Sequence, residues 1–85
     1  MNRLTGKRID GSYVVSDEDM DKAIERLGVF EDAYESLKKD MEQIPKDLEA
    51  LRVQGKEKTI RYKEAVTQKL INNNIMFFFE RHDLK

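Results

Sequence analysis

The chain has 85 residues, 39% apolar and 39% charged, with a net charge of −1 and no cysteine. That length allows one small domain with a thin core, since area scaling has such a chain bury only about 64% of its unfolded surface. The composition excludes a membrane span, which needs roughly 18 apolar residues in a row, and it excludes disulfides, thiolate metal sites and a cysteine nucleophile.

Charge is segregated along the chain. Residues 1–16 carry about +2, residues 17–50 carry twelve acids against five bases, and residues 51–85 carry eight bases against four acids. An acidic first half and a basic second half can attract each other within a hairpin or across a dimer. The alternative is a nucleic-acid surface on the second half, against which the pI near 5.8 weighs.

Residues 1–15 lack helical periodicity. The stretch Lys7 to Val15 reads as a small β-hairpin, with Asp10-Gly11 as a type I′ turn, or else as an extended arm. Ser16 is the expected start of helix one, with its hydroxyl as N-cap, Asp19 completing a capping box and Val15 with Met20 as staple. Asp17, Glu18 and Asp19 suit the positive end of the helix dipole.

The strongest pattern follows. Met20, Leu27, Tyr34, Met41 and Leu48 recur every seven residues, as do Ala23, Phe30, Leu37, Ile44 and Leu51, three residues on. These are the a and d positions of a heptad repeat, and such a stripe packs on another helix. Gly28 lies beside it, where it is tolerated or admits a close helix.

Pro45 cannot donate to the carbonyl four residues back, and it suits the first turn of a new helix. The boundaries expected are therefore helix one over 16–43 and helix two over 45–82. A kinked continuous helix is the alternative, because the heptad keeps its phase across Pro45. Gly55 is a second weak point at which helix two can break.

From Ile60 the pattern is helical. Tyr62, Val66, Leu70 and Phe77 lie on one side, with Ile71, Ile75 and Phe78 beside them. The end at Ile75, Met76, Phe77, Phe78 and Phe79 is apolar all round, as in helices buried in an assembly. Asn72-Asn73-Asn74 reads as a solvated or frayed turn, or as a buried amide network fixing the register of a symmetric interface.

Little in the sequence points to catalysis. Asp17, Asp19 and Asp21 alternate like a calcium loop, but Lys22 and Gly28 occupy the positions of its glycine and glutamate. Gly55-Lys56 resembles the end of a phosphate loop, yet Ala50 and Glu57 fall where glycine and Ser/Thr belong. His82 is the single histidine, and Ser12, Ser16 and Ser36 have no nearby base. No enzyme, metal or cofactor is expected. Lys56, Lys58, Arg61 and Lys63, with Tyr62 among them, form the one basic cluster. It is a candidate nucleic-acid or ligand contact, or a solvated face with a Glu57–Arg61 helix pair.

Two stretches carry a resemblance. Met1-Asn2-Arg3-Leu4-Thr5 with Lys7-Arg8, a Gly-Ser-Tyr turn, Ala23-Ile24-Glu25-Arg26-Leu27 and Phe30-Glu31-Asp32 resembles the start of small phage and prophage accessory proteins of Gram-positive bacteria. Gly55-Lys56-Glu57-Lys58-Thr59, Tyr62-Lys63, Gln68-Lys69-Leu70 and Phe79-Glu80-Arg81-His82-Asp83-Leu84 is similar to the tail of another such group. Asp83, where glycine is expected, and Gly28-Val29 depart from the pattern. The resemblance implies a mobile-element protein in the host cytoplasm, binding a host protein stoichiometrically, with anti-CRISPR-like inhibition among such activities.

The expected fold is all-α, a helical hairpin or small bundle with a long heptad-bearing first helix and an N-terminal β-hairpin or arm. The expected partner is a second copy, as a dimer or higher oligomer, through Leu27, Phe30, Tyr34, Leu37, Met41, Ile75, Phe77, Phe78 and Phe79. A host protein is the second expected partner and nucleic acid the third; a nucleotide-sequestering oligomer is a further alternative. No membrane role is expected.

Overall fold

The computed structural model describes residues 1–84. A two-stranded antiparallel sheet, β1 (Gly6–Lys7) and β2 (Tyr13–Val14), precedes a 3-10 turn (Asp17–Asp19) and two helices, α1 (Met20–Val53) and α2 (Ile60–Arg81). This is the expected helical hairpin with a short β-hairpin at its start. The chain divides into two compact units, Met1–Tyr34 and Glu35–Lys85, and α1 runs from the first into the second.

In the first unit, Gly6 pairs with Val14 and Lys7 with Tyr13. The connection is not the expected two-residue turn. A type I′ turn needs positive φ at both central residues, and here Gly11 has φ +87° while Asp10 does not. Instead the Gly11 N–H donates to the Arg8 carbonyl and the Arg8 N–H to the Ser12 carbonyl, so Ile9, Asp10 and Gly11 form a three-residue loop. The Asp10 carboxylate accepts from the Ser12 N–H at 2.9 Å and from its hydroxyl at 2.7 Å. Those two bonds stabilise the charged form and hold the Asp10 carboxyl below its ordinary value.

Helix α1 starts four residues after the expected cap. The Ser16 hydroxyl makes no cap bond to the backbone; it donates to the Asp19 carboxylate at 3.2 Å. Arg26, one turn and a half into α1, donates to the Asn2 carbonyl and ties the N-terminal segment to the helix.

The expected break at Pro45 is absent, because Pro45 lies inside α1. The helix ends instead at Gly55. There the Gly55 N–H donates to the Arg52 carbonyl and the Lys56 N–H to the Leu51 carbonyl, with Gly55 at φ +69°. This is a Schellman cap, and the left-handed residue it needs is the one glycine accepts without strain. Thr59 then caps α2, accepting from the Tyr62 N–H at 3.2 Å. A second Schellman cap closes α2: the Asp83 N–H donates to the Glu80 carbonyl and the Leu84 N–H to the Phe79 carbonyl. Here Asp83 holds φ +62°, which explains why glycine suits this position.

The core of the second unit is thin. Leu48, Leu51 and Met76 are the buried apolar residues and Asn72 the buried polar one. Leu37, Met41 and Ile44 of α1, and Tyr62, Ala65, Val66 and Phe79 of α2, are half-buried around them. The heptad stripe therefore does face a helix in this unit. In the first unit Tyr34 and Ala23 are half-buried, whereas Met20, Leu27 and Phe30 are exposed.

Candidate interaction surfaces

Two surfaces concentrate unusual side chains, one on each helix. The first lies on the opening turns of α1. Asp21, Glu25, Gly28 and Asp32 follow the i, i+4, i+7, i+11 spacing that lines one helix face, and Ile24 and Glu31 lie on the adjoining row. All four carboxylates are exposed, and Ile24 is exposed among them. Lys22 adjoins Glu25 at i, i+3, whereas Arg26 lies on the far side of the helix and donates to the Asn2 carbonyl. A Cβ built on Gly28 meets nothing within 4 Å, so no neighbour in the structure demands glycine there.

The second surface is on α2. Asn72, Met76 and Phe79 turn inward, which rotates Ile71, Ile75 and Phe78 one residue, or about 100°, away from the core. Ile60, Leu70, Ile71, Ile75, Phe77 and Phe78 are 40–74% exposed. Phe78 is flanked rather than covered: its ring lies 4.7 Å from that of His82, and the Arg81 guanidinium sits 5.3 Å from its centre. Ile60, Glu64, Thr67, Ile71, Asn74 and Phe78 alternate by four and three residues, the spacing of a helix-packing seam.

The structure sorts the expected interface residues into two sets. Leu27, Phe30, Ile75, Phe77 and Phe78 are exposed; Tyr34, Leu37, Met41 and Phe79 are half-buried. The asparagine run is helical throughout, not a frayed turn. Asn72 is 3% exposed and accepts from the Gln68 amide at 2.8 Å, while Asn73 and Asn74 face solvent.

The basic cluster is spread over two kinds of structure. Lys56 and Lys58 sit in the turn, and Arg61 and Lys63 begin α2. The shared helical face expected of Lys56 and Lys63 therefore does not form. Glu57 precedes the cap of α2, so its four-residue spacing from Arg61 is not a helical one. Tyr62 is half-buried, and its hydroxyl accepts from Arg52 Nε at 2.9 Å with the guanidinium 5.9 Å from the ring centre. That bond raises the Arg52 pKa further above its ordinary value. Arg52 also pairs with Glu49 at 3.5 Å.

Sequence reasoning named Ile60 as the start of the helical pattern and the run to Asn74 as a register-fixing candidate, but it identified neither the α2 seam nor the Arg52–Tyr62 clamp. The four-and-three spacing from Ile60 to Phe78 is the signal that finds the α2 seam. No local pattern announces a pair ten residues apart across a turn.

An open hollow on α2 is lined by Ile60, Lys63, Glu64, Thr67 and Gln68, and a second at the hairpin tip by Arg8, Ile9 and Asp10. Among the described residues no group of three His, Cys, Asp or Glu is placed to hold a metal ion, and no helix is long and apolar enough to cross a membrane. Compared with known protein families, curated proteins and solved structures, the chain matches none.

Proposed function

We propose that this chain acts without catalysis, as an accessory protein that binds another protein stoichiometrically through the opening turns of α1. One observation carries the reading: Asp21, Glu25, Glu31 and Asp32 cluster about an exposed Ile24 on the opening turns of α1, where Lys22 beside Glu25 is the one base on that side. An apolar centre with a charged rim is the anatomy of a protein contact. Four carboxylates spaced along a helix favour a basic partner surface and suit one that otherwise receives phosphates. The resemblance to phage and prophage proteins supports a host protein as that partner, a host-defence factor among the candidates, and the bacterial cytoplasm as the place.

The test is a pull-down of host lysate by the tagged chain, with and without nuclease, beside a variant carrying Asp21→Asn, Glu25→Gln, Glu31→Gln and Asp32→Asn. One host protein retained at equal stoichiometry after nuclease, and lost by the variant, is the expected result. Equal retention by the variant removes the acidic face from the reading. Nucleic acid captured by the chain, and lost when Lys56, Lys58, Arg61 and Lys63 become alanine, would replace it with a nucleic-acid regulator. An empty pull-down with a nucleotide that raises the melting temperature would replace it with a ligand-sequestering oligomer.

A further inference from the structure

We propose that the α2 seam is a self-docking surface: two copies pair through it, antiparallel about a two-fold axis, with Ile71 of each set against Ile75 of the other.

Exposed apolar area is the first argument. Ile60, Leu70, Ile71, Ile75, Phe77 and Phe78 of α2 are 40–74% exposed. A stable interface takes about 800 Å² from each partner, and such side chains are what it buries.

Complementarity identifies the occupant. Setting Ile71 against Ile75 in an antiparallel pair places Glu64 of one copy opposite His82 of the other, and Lys63 opposite Asp83. This register buries the isoleucines and also joins unlike polar groups at both ends. A two-fold pair makes every such match twice. Asn74 then lies beside the axis, where a polar seam residue fixes register. The thin core adds a third argument. Three buried apolar residues, Leu48, Leu51 and Met76, make a weak centre, so a covering partner adds to the stability of the fold. Another copy is the partner always present at equal amount.

Light scattering of the purified chain at micromolar concentration tests the pairing, with a mass of about 20 kDa expected from the 10.0 kDa chain. Ile71→Glu should give a monomer that keeps its helical circular dichroism. Should that variant unfold, Glu64→Lys leaves the core untouched; it should raise the dissociation constant several-fold, and the added His82→Glu should restore it. Single cysteines and a short bismaleimide test the register in this cysteine-free chain. Asn74→Cys should cross-link, since the two sites lie about 3 Å apart along the axis; Lys63→Cys should not, since they lie about 30 Å apart. A monomeric wild type overturns the proposal and leaves the seam to a different protein. Cross-linking through residue 63 but not 74 overturns the antiparallel register.

Discussion

Asn72 sits where a larger core would place leucine. Its Oδ1 accepts from Gln68, but its Nδ2 is buried with no hydrogen-bond partner. An unmet buried donor costs about 1–3 kcal/mol, whereas Gln68 is exposed and can return its amide to water. Asn72→Leu should therefore stabilise the fold by about 1–3 kcal/mol, read as a thermal midpoint several degrees higher by circular dichroism. A lower midpoint would mean the amide is satisfied in solution. Asp10 acts at the other end of the chain and through protonation. Its folded carboxyl titrates below the ordinary 3.8 because Ser12 bonds the charged form. A depressed carboxylate contributes its stability above the unfolded value and loses it as pH falls through the folded one. The Ser12 amide resonance should thus shift as the pH drops from about 5 to about 2, and Asp10→Asn should remove that response. An amide indifferent to pH over this range would show that the turn does not depend on the carboxylate.

Pro45 shows how far an element can be read from sequence. The heptad kept its phase on both sides of it, and that unbroken phase, rather than the proline, matched the structure. Packing of Leu48 and Leu51 beyond the proline outweighs one missing hydrogen bond. Gly55 ended the helix because a Schellman cap needs a left-handed residue, a requirement stronger than the general weakness of proline inside a helix. The rotation of α2 was not legible. Its apolar residues occupy several sides, Val66, Met76 and Phe79 on one and Ile60, Ile71 and Phe78 on another, so periodicity alone does not choose the face that meets α1. The structure chose the side that buries Asn72, which a ranking by hydrophobicity would have rejected. Pro45 is exposed, so replacing it sacrifices no packing. Pro45→Ala restores a donor to the Met41 carbonyl and removes a ring clash, and should stabilise by up to about 3 kcal/mol. Urea unfolding checks this through a higher midpoint at unchanged slope. A lower midpoint would mean that a bend at Pro45 seats the second helix.

At the scale of the whole molecule the deciding quantity is exposed apolar surface. It lies on both helices, at Ile24, Leu27 and Val29 of α1 as well as along α2. A fold with this thin a centre gains stability from whatever covers it, so association adds to folding by mass action. For a dimer that dissociates on unfolding, a tenfold rise in concentration adds about 1.4 kcal/mol to stability. Spread over two such chains, that raises the thermal midpoint by about 3–5 °C. Melting curves across a hundredfold range of concentration should show this rise for the wild type and none for Ile71→Glu. A wild-type midpoint independent of concentration would mean that each chain folds alone. The exposed α2 face would then be stabilised by nothing in the purified protein, and a different occupant would have to be supplied before the fold reached its full stability.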